Sequence, residues 1–206
     1  MKKESKKNYP TSYSAMPLGQ YVELVKVIQS GMTGTMKDMV SIAAIMTGSE
    51  VQNVMTWDVN EVVDVYAAAI DLLKQLPEDV DYKVITLNGV EYKAQEVEEF
   101  TTRQFTDFDT LASKADDENI PLLLGLIYVQ DNGKNYIDDV KDFAEQALQM
   151  PTDIALTAVR SFSMRLLKYA YSMLDSSTQA KKMMEGSPEM KIQMEKIKNL
   201  LDGVGN

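Results

Sequence analysis

Leu18-Gly19-Gln20-Tyr21-Val22-Glu23-Leu24 returns later in the chain as Thr102-Arg103-Gln104-Phe105-Thr106-Asp107-Phe108, with glutamine, aromatic, acidic and apolar positions in register. A buried-looking run follows each copy, Val40 to Met46 after the first and Leu122 to Tyr128 after the second. A third match closes the series. Met55-Thr56-Trp57-Asp58-Val59 leads into an apolar helix from Val62 to Leu73, as Met150-Pro151-Thr152-Asp153-Ile154 leads into one from Val159 to Leu167. Amphipathic helices share an apolar period of about 3.6 residues, so any one match is weak; the common order of three favours duplication. The expected fold is mainly α, two tandem helical repeats with similar internal packing.

Between the copies, Tyr82-Lys83-Val84-Ile85-Thr86-Leu87 and Val90-Glu91-Tyr92-Lys93 flank Asn88-Gly89. Asn-Gly suits the two-residue hairpin turn, whose central residues both need positive φ. The predicted organisation is a basic arm over 1–13, a helical repeat over 14–76, a hairpin over 80–94, a second repeat over 96–174, and a polar linker with a Met-rich helix over 175–206.

Within the first repeat the spacing predicts helices over about 17–30, 36–47 and 50–54, and one that starts near Asp58 or Thr56 and stops before Pro77. The last of these has a buried stripe of Val59, Val62, Val63, Tyr66, Ala67, Ile70 and Leu73. Trp57 is expected to clamp its start onto the first helix. In the second repeat, Thr101 and Gln104 have the spacing of a reciprocal helix cap, and Phe105, Phe108, Leu111 and Ala112 form the buried stripe. A helix over 119–129, one marked by Ile137, Val140, Phe143, Ala144 and Ala147, and a long one capped by Thr152 or Asp153 complete it. Gln20 and Gln104, just inside equivalent helices, are expected to serve capping or hydrogen bonding between segments.

Composition excludes many chemistries. The 206 residues include no cysteine and no histidine, so there is no disulfide, thiol nucleophile, imidazole base or thiolate metal site. A net charge of −10 opposes broad binding to nucleic acid, which needs a basic face to displace counterions. No apolar run reaches the roughly 18 residues of a membrane span, and the basic start Met1-Lys2-Lys3-Glu4-Ser5-Lys6-Lys7 has no apolar segment behind it; an intracellular protein is expected. No phosphate-cradling loop, dinucleotide fingerprint or nucleophile elbow occurs, and Gly31-Met32-Thr33-Gly34 reads as a helix terminator.

Carboxylates are the remaining candidates for chemistry: Glu96, Glu98 and Glu99; Asp107 and Asp109; Asp138, Asp139 and Asp142. Solvated helix faces explain all three groups. Asp131-Asn132-Gly133-Lys134-Asn135 faintly resembles a calcium loop but puts glycine third instead of sixth, and the shorter Asp142 where the bidentate Glu belongs. No cofactor, metal or small-molecule substrate is expected.

Partner binding is assigned to the two ends. Lys2, Lys3, Lys6 and Lys7 can meet an acidic neighbour, while Met190, Met194, Ile197 and Leu201 share one face of a helix begun by Ser187-Pro188-Glu189. Methionine's flexible thioether suits an irregular core and an adaptable partner groove alike.

On Leu18 to Leu24, the hairpin residues Leu87 to Tyr92 and Thr101 to Phe108, the chain resembles small acidic morphogenesis proteins of tailed bacteriophages. Nearest among them are the tail-assembly-chaperone-like proteins of phages infecting gut bacteria, and the resemblance spans residues 16–170. It implies a mainly helical, non-enzymatic protein of the host cytoplasm that handles tape-measure or tail-tube subunits during tail assembly. It leaves open a structural virion component of the neck or tail, a ring or adaptor against neck or portal subunits, and self-association into a homo-oligomer. A carboxylate-based metalloenzyme is the alternative from another class. The resemblance supplies no catalytic residues.

Overall fold

The computed structural model describes residues 8–32, 34–114 and 116–176. Their order is a 3₁₀ turn at Tyr13–Ala15, helices α1 (Leu18–Gln29), α2 (Met36–Thr47), α3 (Val51–Val54) and α4 (Val59–Leu73), and strands β1 (Val84–Leu87) and β2 (Val90–Lys93). After a 3₁₀ turn at Val97–Glu99 come α5 (Thr102–Ala112), a 3₁₀ turn at Asp117–Asn119, α6 (Ile120–Tyr128), α7 (Tyr136–Ala147) and α8 (Thr152–Ser176). The protein is mainly helical with a two-stranded antiparallel hairpin in the middle. No helix among the described residues is long and apolar enough to cross a membrane. Residues through Gln95 form one compact unit with Thr101–Val159; Glu96–Phe100 forms a second with the chain from Arg160, so the division falls inside α8.

Local chemistry sets the helix ends. Thr35 with Asp38, Asp58 with Glu61, and Thr101 with Gln104 form reciprocal caps on α2, α4 and α5, each satisfying helix N–H groups that have no partner within the helix. Gly48, at φ 61°, closes α2 in the left-handed region that glycine enters without a Cβ penalty. Asn88 and Gly89 both have positive φ, 50° and 79°, as the hairpin turn requires. The resulting register pairs Ile85 with Tyr92 and Leu87 with Val90.

In the first half, α2 packs on α1, α3 and α4, burying Val40, Ile42, Ala43, Ala44 and Met46. Tyr13, Met16 and Leu24 join this core, and Tyr9 and Trp57 pack against it half-buried. The expected arm therefore ends before residue 13. Tyr9, Tyr13 and Met16 recur at three- and four-residue intervals and pack as an apolar stripe on the bundle, which offsets the cost of ordering the segment.

The buried face of α4 is also corrected. It consists of Val62, Val65, Ala69 and Leu72, whereas Val59, Val63 and Ala67 are exposed. Valine, alanine, isoleucine and leucine surround this helix on almost every side, so periodicity leaves its rotation open and packing on α2 decides it.

The second half is built around α6 against α7 and α5. Every residue of α6 except Leu122 is buried. A Cβ built on Gly125 would stand 2.7 Å from the Val140 carbonyl oxygen, so hydrogen alone permits this approach of α6 to α7. In α7, Tyr136, Val140, Phe143, Ala144 and Ala147 are buried, but Ile137 is exposed; Tyr136 takes the inward place expected for it. On α5, Phe108 and Gln104 are buried, while Ala112 faces solvent.

Four helices follow in the same order in each half, but their partnerships differ. α2 packs on α4, whereas α6 packs on α7. The expected likeness of internal packing is not carried through, because α3 is a single turn and cannot fill the place that three-turn α7 occupies.

In the smaller unit, Phe100 packs on Phe162 with ring centroids 4.7 Å apart, and Val97 is buried. The Arg165 guanidinium lies over the Phe162 ring at 5.4 Å and pairs with Glu96 at 2.6 Å.

Candidate functional site

The carboxylate groups do not converge. Glu96 pairs with Arg165 and caps the Val97–Glu99 turn reciprocally with Glu99. Asp139 accepts a hydrogen bond from the Asn132 amide at 2.6 Å, while Asp131 accepts from Gly133 N–H and from the Thr101 hydroxyl. These bonds shape the loop before α7. Among the described residues, no three acidic side chains stand close enough together to hold a metal ion.

Asp139 and Asp142 do border a shallow cleft of about 480 Å³ with Tyr92, Tyr128, Phe143 and Gln146. Its floor is aromatic: Tyr92 meets Phe143 edge-on at 4.9 Å and Tyr128 stacks on Phe143 at 5.4 Å. The Tyr128 hydroxyl donates to the Tyr82 carbonyl, and Asn88 in the hairpin turn donates to Gln146 at 3.0 Å. These bonds pin the hairpin to α6 and α7.

The two matched glutamines do the same physical work. Gln20 reaches from α1 to donate to the Ile45 carbonyl in the last turn of α2. Gln104 reaches from α5 to donate to the Val129 carbonyl, just past α6. Each donates to a carbonyl at the end of a neighbouring helix, shared in the first case with the Gly48 N–H that caps α2 and in the second with the Gln95 amide. Gln104 is the more deeply committed: it also donates to Gln95 at 3.2 Å and accepts from the Thr101 N–H at 3.1 Å. Gln95 in turn donates to the Leu126 and Val129 carbonyls.

Beside this network Tyr136 is fully buried, with the Arg103 guanidinium 5.0 Å from its ring centroid. Burial raises its phenol above the ordinary value, helped by Asp107 and Asp131 and opposed by Arg103 and Gln104. Such a phenol stays protonated and neutral. Asp107 Oδ2 is buried 4.0 Å from Arg103 Nε. The hydrogen bonds of buried Gln104 and Gln95 join α5 to the end of α6, with Tyr136 buried beside them and Arg103 and Asp107 at the exposed edge.

Thr152 and Asp153, expected as caps, are placed differently. Pro17 and Pro151 lie side by side in an isolated antiparallel bridge, with Leu18 N–H donating to Met150 O and Thr152 N–H to Met16 O. The Thr152 hydroxyl follows its N–H to Met16 instead of capping its own helix, and Asp153 accepts from Ile154 N–H. Distant partners for the helix ends displaced the local cap.

Lys2, Lys3, Lys6 and Lys7, and Met190, Met194, Ile197 and Leu201, lie outside the described residues. Within them, a surface that the sequence reading missed stands out on α3 and α4. Val51 and Met55 are one turn apart and exposed, as are Val59 and Val63. Met55 is 70% exposed and Val59 58%, a large apolar display over so short a stretch. Between Lys37 and Lys74 there is no cation, but six carboxylates: Asp38, Glu50, Asp58, Glu61, Asp64 and Asp71. That charge pattern was available in the sequence; the outward turn of Val59 and Val63 was not.

Compared with protein-family models, curated proteins and solved structures, the chain matches none at a significant level.

Proposed function

We propose that the chain is a non-enzymatic morphogenesis protein of a tailed bacteriophage, acting through protein–protein contacts in tail assembly as a chaperone for tape-measure or tail-tube subunits. The observation that carries the contact role is the exposed apolar display of Val51, Met55, Val59 and Val63 on a helical unit whose core is already formed by other residues. Exposed apolar residues stacked one turn apart, as Val51 with Met55 and Val59 with Val63 are, mark interaction surfaces more often than those scattered singly. The carboxylates that could have argued for chemistry hold helix ends, loop turns and ion pairs. The tail-assembly setting comes from the resemblance over Leu18 to Leu24, Leu87 to Tyr92 and Thr101 to Phe108.

The test is to tag the chain in phage-infected cells and identify what it carries. Recovery of tape-measure or tail-tube subunits before assembly, with the chain missing from purified particles, is the expected result. The chain recovered in purified particles at fixed stoichiometry would replace the chaperone with a ring or adaptor of the neck or tail. Recovery of neither would overturn the phage reading.

A further inference from the structure

We propose that the cleft between the hairpin and α7 receives a basic side chain, lysine or arginine, of a partner protein, its alkyl stem against Tyr92 and its cation against Asp139 and Asp142. This rests on the protein–protein reading above and specifies what the partner must present. Strand β2, the loop after α6 and helix α7 together border the cleft of about 480 Å³. Asp139 and Asp142 are three residues apart on α7 and so share a face, with Gln146 one turn beyond Asp142. Asp142 is exposed and Asp139 half-buried. Among the described residues, neither carboxylate is paired with a lysine or arginine; Asp139 accepts only the Asn132 amide at 2.6 Å. Lys93, Lys134 and Lys141, the lysines beside these segments, are exposed and do not line the cleft. Tyr92 supplies the apolar contact, because it is half-buried whereas Phe143 and Tyr128 are almost fully covered.

Negative charge beside an accessible aromatic ring discriminates among occupants. Phosphate, nucleic acid and acidic peptides are repelled by the carboxylates. A small free amine would be covered on one side only, whereas small-molecule sites bury roughly 70–90% of their ligand. A lysine or arginine presented from a partner's surface fits both properties: its stem packs on the ring, its cation meets the carboxylates, and its remaining contacts come from outside the cleft. Self-association through this site is opposed by the chain's net charge of −10.

The probes are two capped peptides, glycines around a central lysine or a central norleucine, which keeps the stem without the cation. Titrated into the full chain, the lysine peptide should bind about tenfold more tightly and shift the signals of Tyr92 and Gln146. Asp142→Asn should weaken it about fivefold, whereas Glu145→Gln, which removes the same charge from an exposed α7 position outside the cleft, should leave it unchanged. Tyr92→Leu, which keeps bulk and removes the ring, should also weaken it; if that variant melts early, Asp142→Asn at its exposed position still decides. Equal binding of the two peptides, or equal effects of Asp142→Asn and Glu145→Gln, overturns the proposal. So does spermidine that binds this cleft more tightly than the lysine peptide, since the source of the cation is then a free amine, or a dimer of the unaltered chain that Asp142→Asn dissociates. Undiminished capture of tail subunits by the Asp142→Asn variant would overturn the cleft as their contact while leaving the tail-assembly reading intact.

Discussion

The Met16 carbonyl accepts two hydrogen bonds from Thr152, one from its backbone N–H at 2.9 Å and one from its hydroxyl at 2.7 Å. Both residues are fully buried, and the bonds tie the entrance of α1 to the entrance of α8 across most of the larger unit's sequence. Chain ends of the unit are thereby held together without a sheet.

Thr152→Val removes the hydroxyl bond and keeps the shape and the N–H bond, so the expected cost is about 0.5–1.5 kcal/mol. Chemical denaturation with an unchanged m-value would measure it. A stability equal to that of the unaltered chain would show that the hydroxyl bond contributes nothing beyond its N–H companion.

Gln104→Ala is expected to cost more than Gln20→Ala. Gln104 is almost fully buried and its loss leaves the Gln95 amide oxygen and the Thr101 N–H without their partner, whereas Gln20 is partly exposed and makes a single inter-helix bond. Stranded buried polar groups cost about 1–3 kcal/mol, and a lost bond at a site open to water about 1. Thermal melts of the two variants give the order; the reverse order would contradict the assignment of Gln104 to the interior network.

Gly125→Ala should destabilise by about 1–3 kcal/mol although alanine is the better helix former. Its methyl would meet the Val140 backbone oxygen at 2.7 Å and the Val140 side chain at 2.9 Å, and the backbone atom cannot rotate away. Gly31→Ala offers the contrast, because nothing lies near its Cβ position and only its φ of 91° opposes the change. An unchanged melting temperature for Gly125→Ala would mean that α6 and α7 are further apart than described.

Asp117 contributes a pH dependence of definite sign. Burial first, then the neighbouring Asp116 carboxylate, raises its carboxyl above the ordinary 3.8, against a hydrogen bond from Gln29 that lowers it. The folded chain therefore holds this proton more tightly than the unfolded chain, and the stability so gained is present below the ordinary carboxylate value and lost as pH rises through the raised one. Asp117→Asn should raise the melting temperature at pH 7, and the gain should shrink as pH falls below about 4. A gain that persists unchanged at low pH would place its origin elsewhere.

What could be read in advance follows a physical division. Thr101 with Gln104, Asn88 with Gly89, and Gly48 at the end of α2 act through backbone groups a few residues away, so their roles are written in adjacent sequence. The matched positions of Gln20 and Gln104 also foretold their matched work at the ends of α2 and α6. Other features depend on elements far along the chain. α4 has apolar side chains on nearly every side, so only α2 could decide that Val65 and Ala69 turn inward and Val59 and Val63 outward. Thr152 had a plausible local cap to make and a better distant acceptor in Met16. Tyr9 and Tyr13 looked polar in the company of lysines, but their rings pack on the first half's core. The candidate surface was legible only in its charge, six carboxylates without a cation, because exposure of the apolar stripe depends on the rotation of α4.

Whether this chain works by contact through the exposed apolar residues of α3 and α4 is decided by complementation. A phage deleted for this gene would be supplied with either the unaltered chain or the Met55→Ser, Val59→Ser, Val63→Ser variant, both checked for equal abundance and melting temperature. The unaltered chain should restore infectious particles, and the folded variant should leave particle heads without complete tails. Equal restoration by both would contradict this contact role.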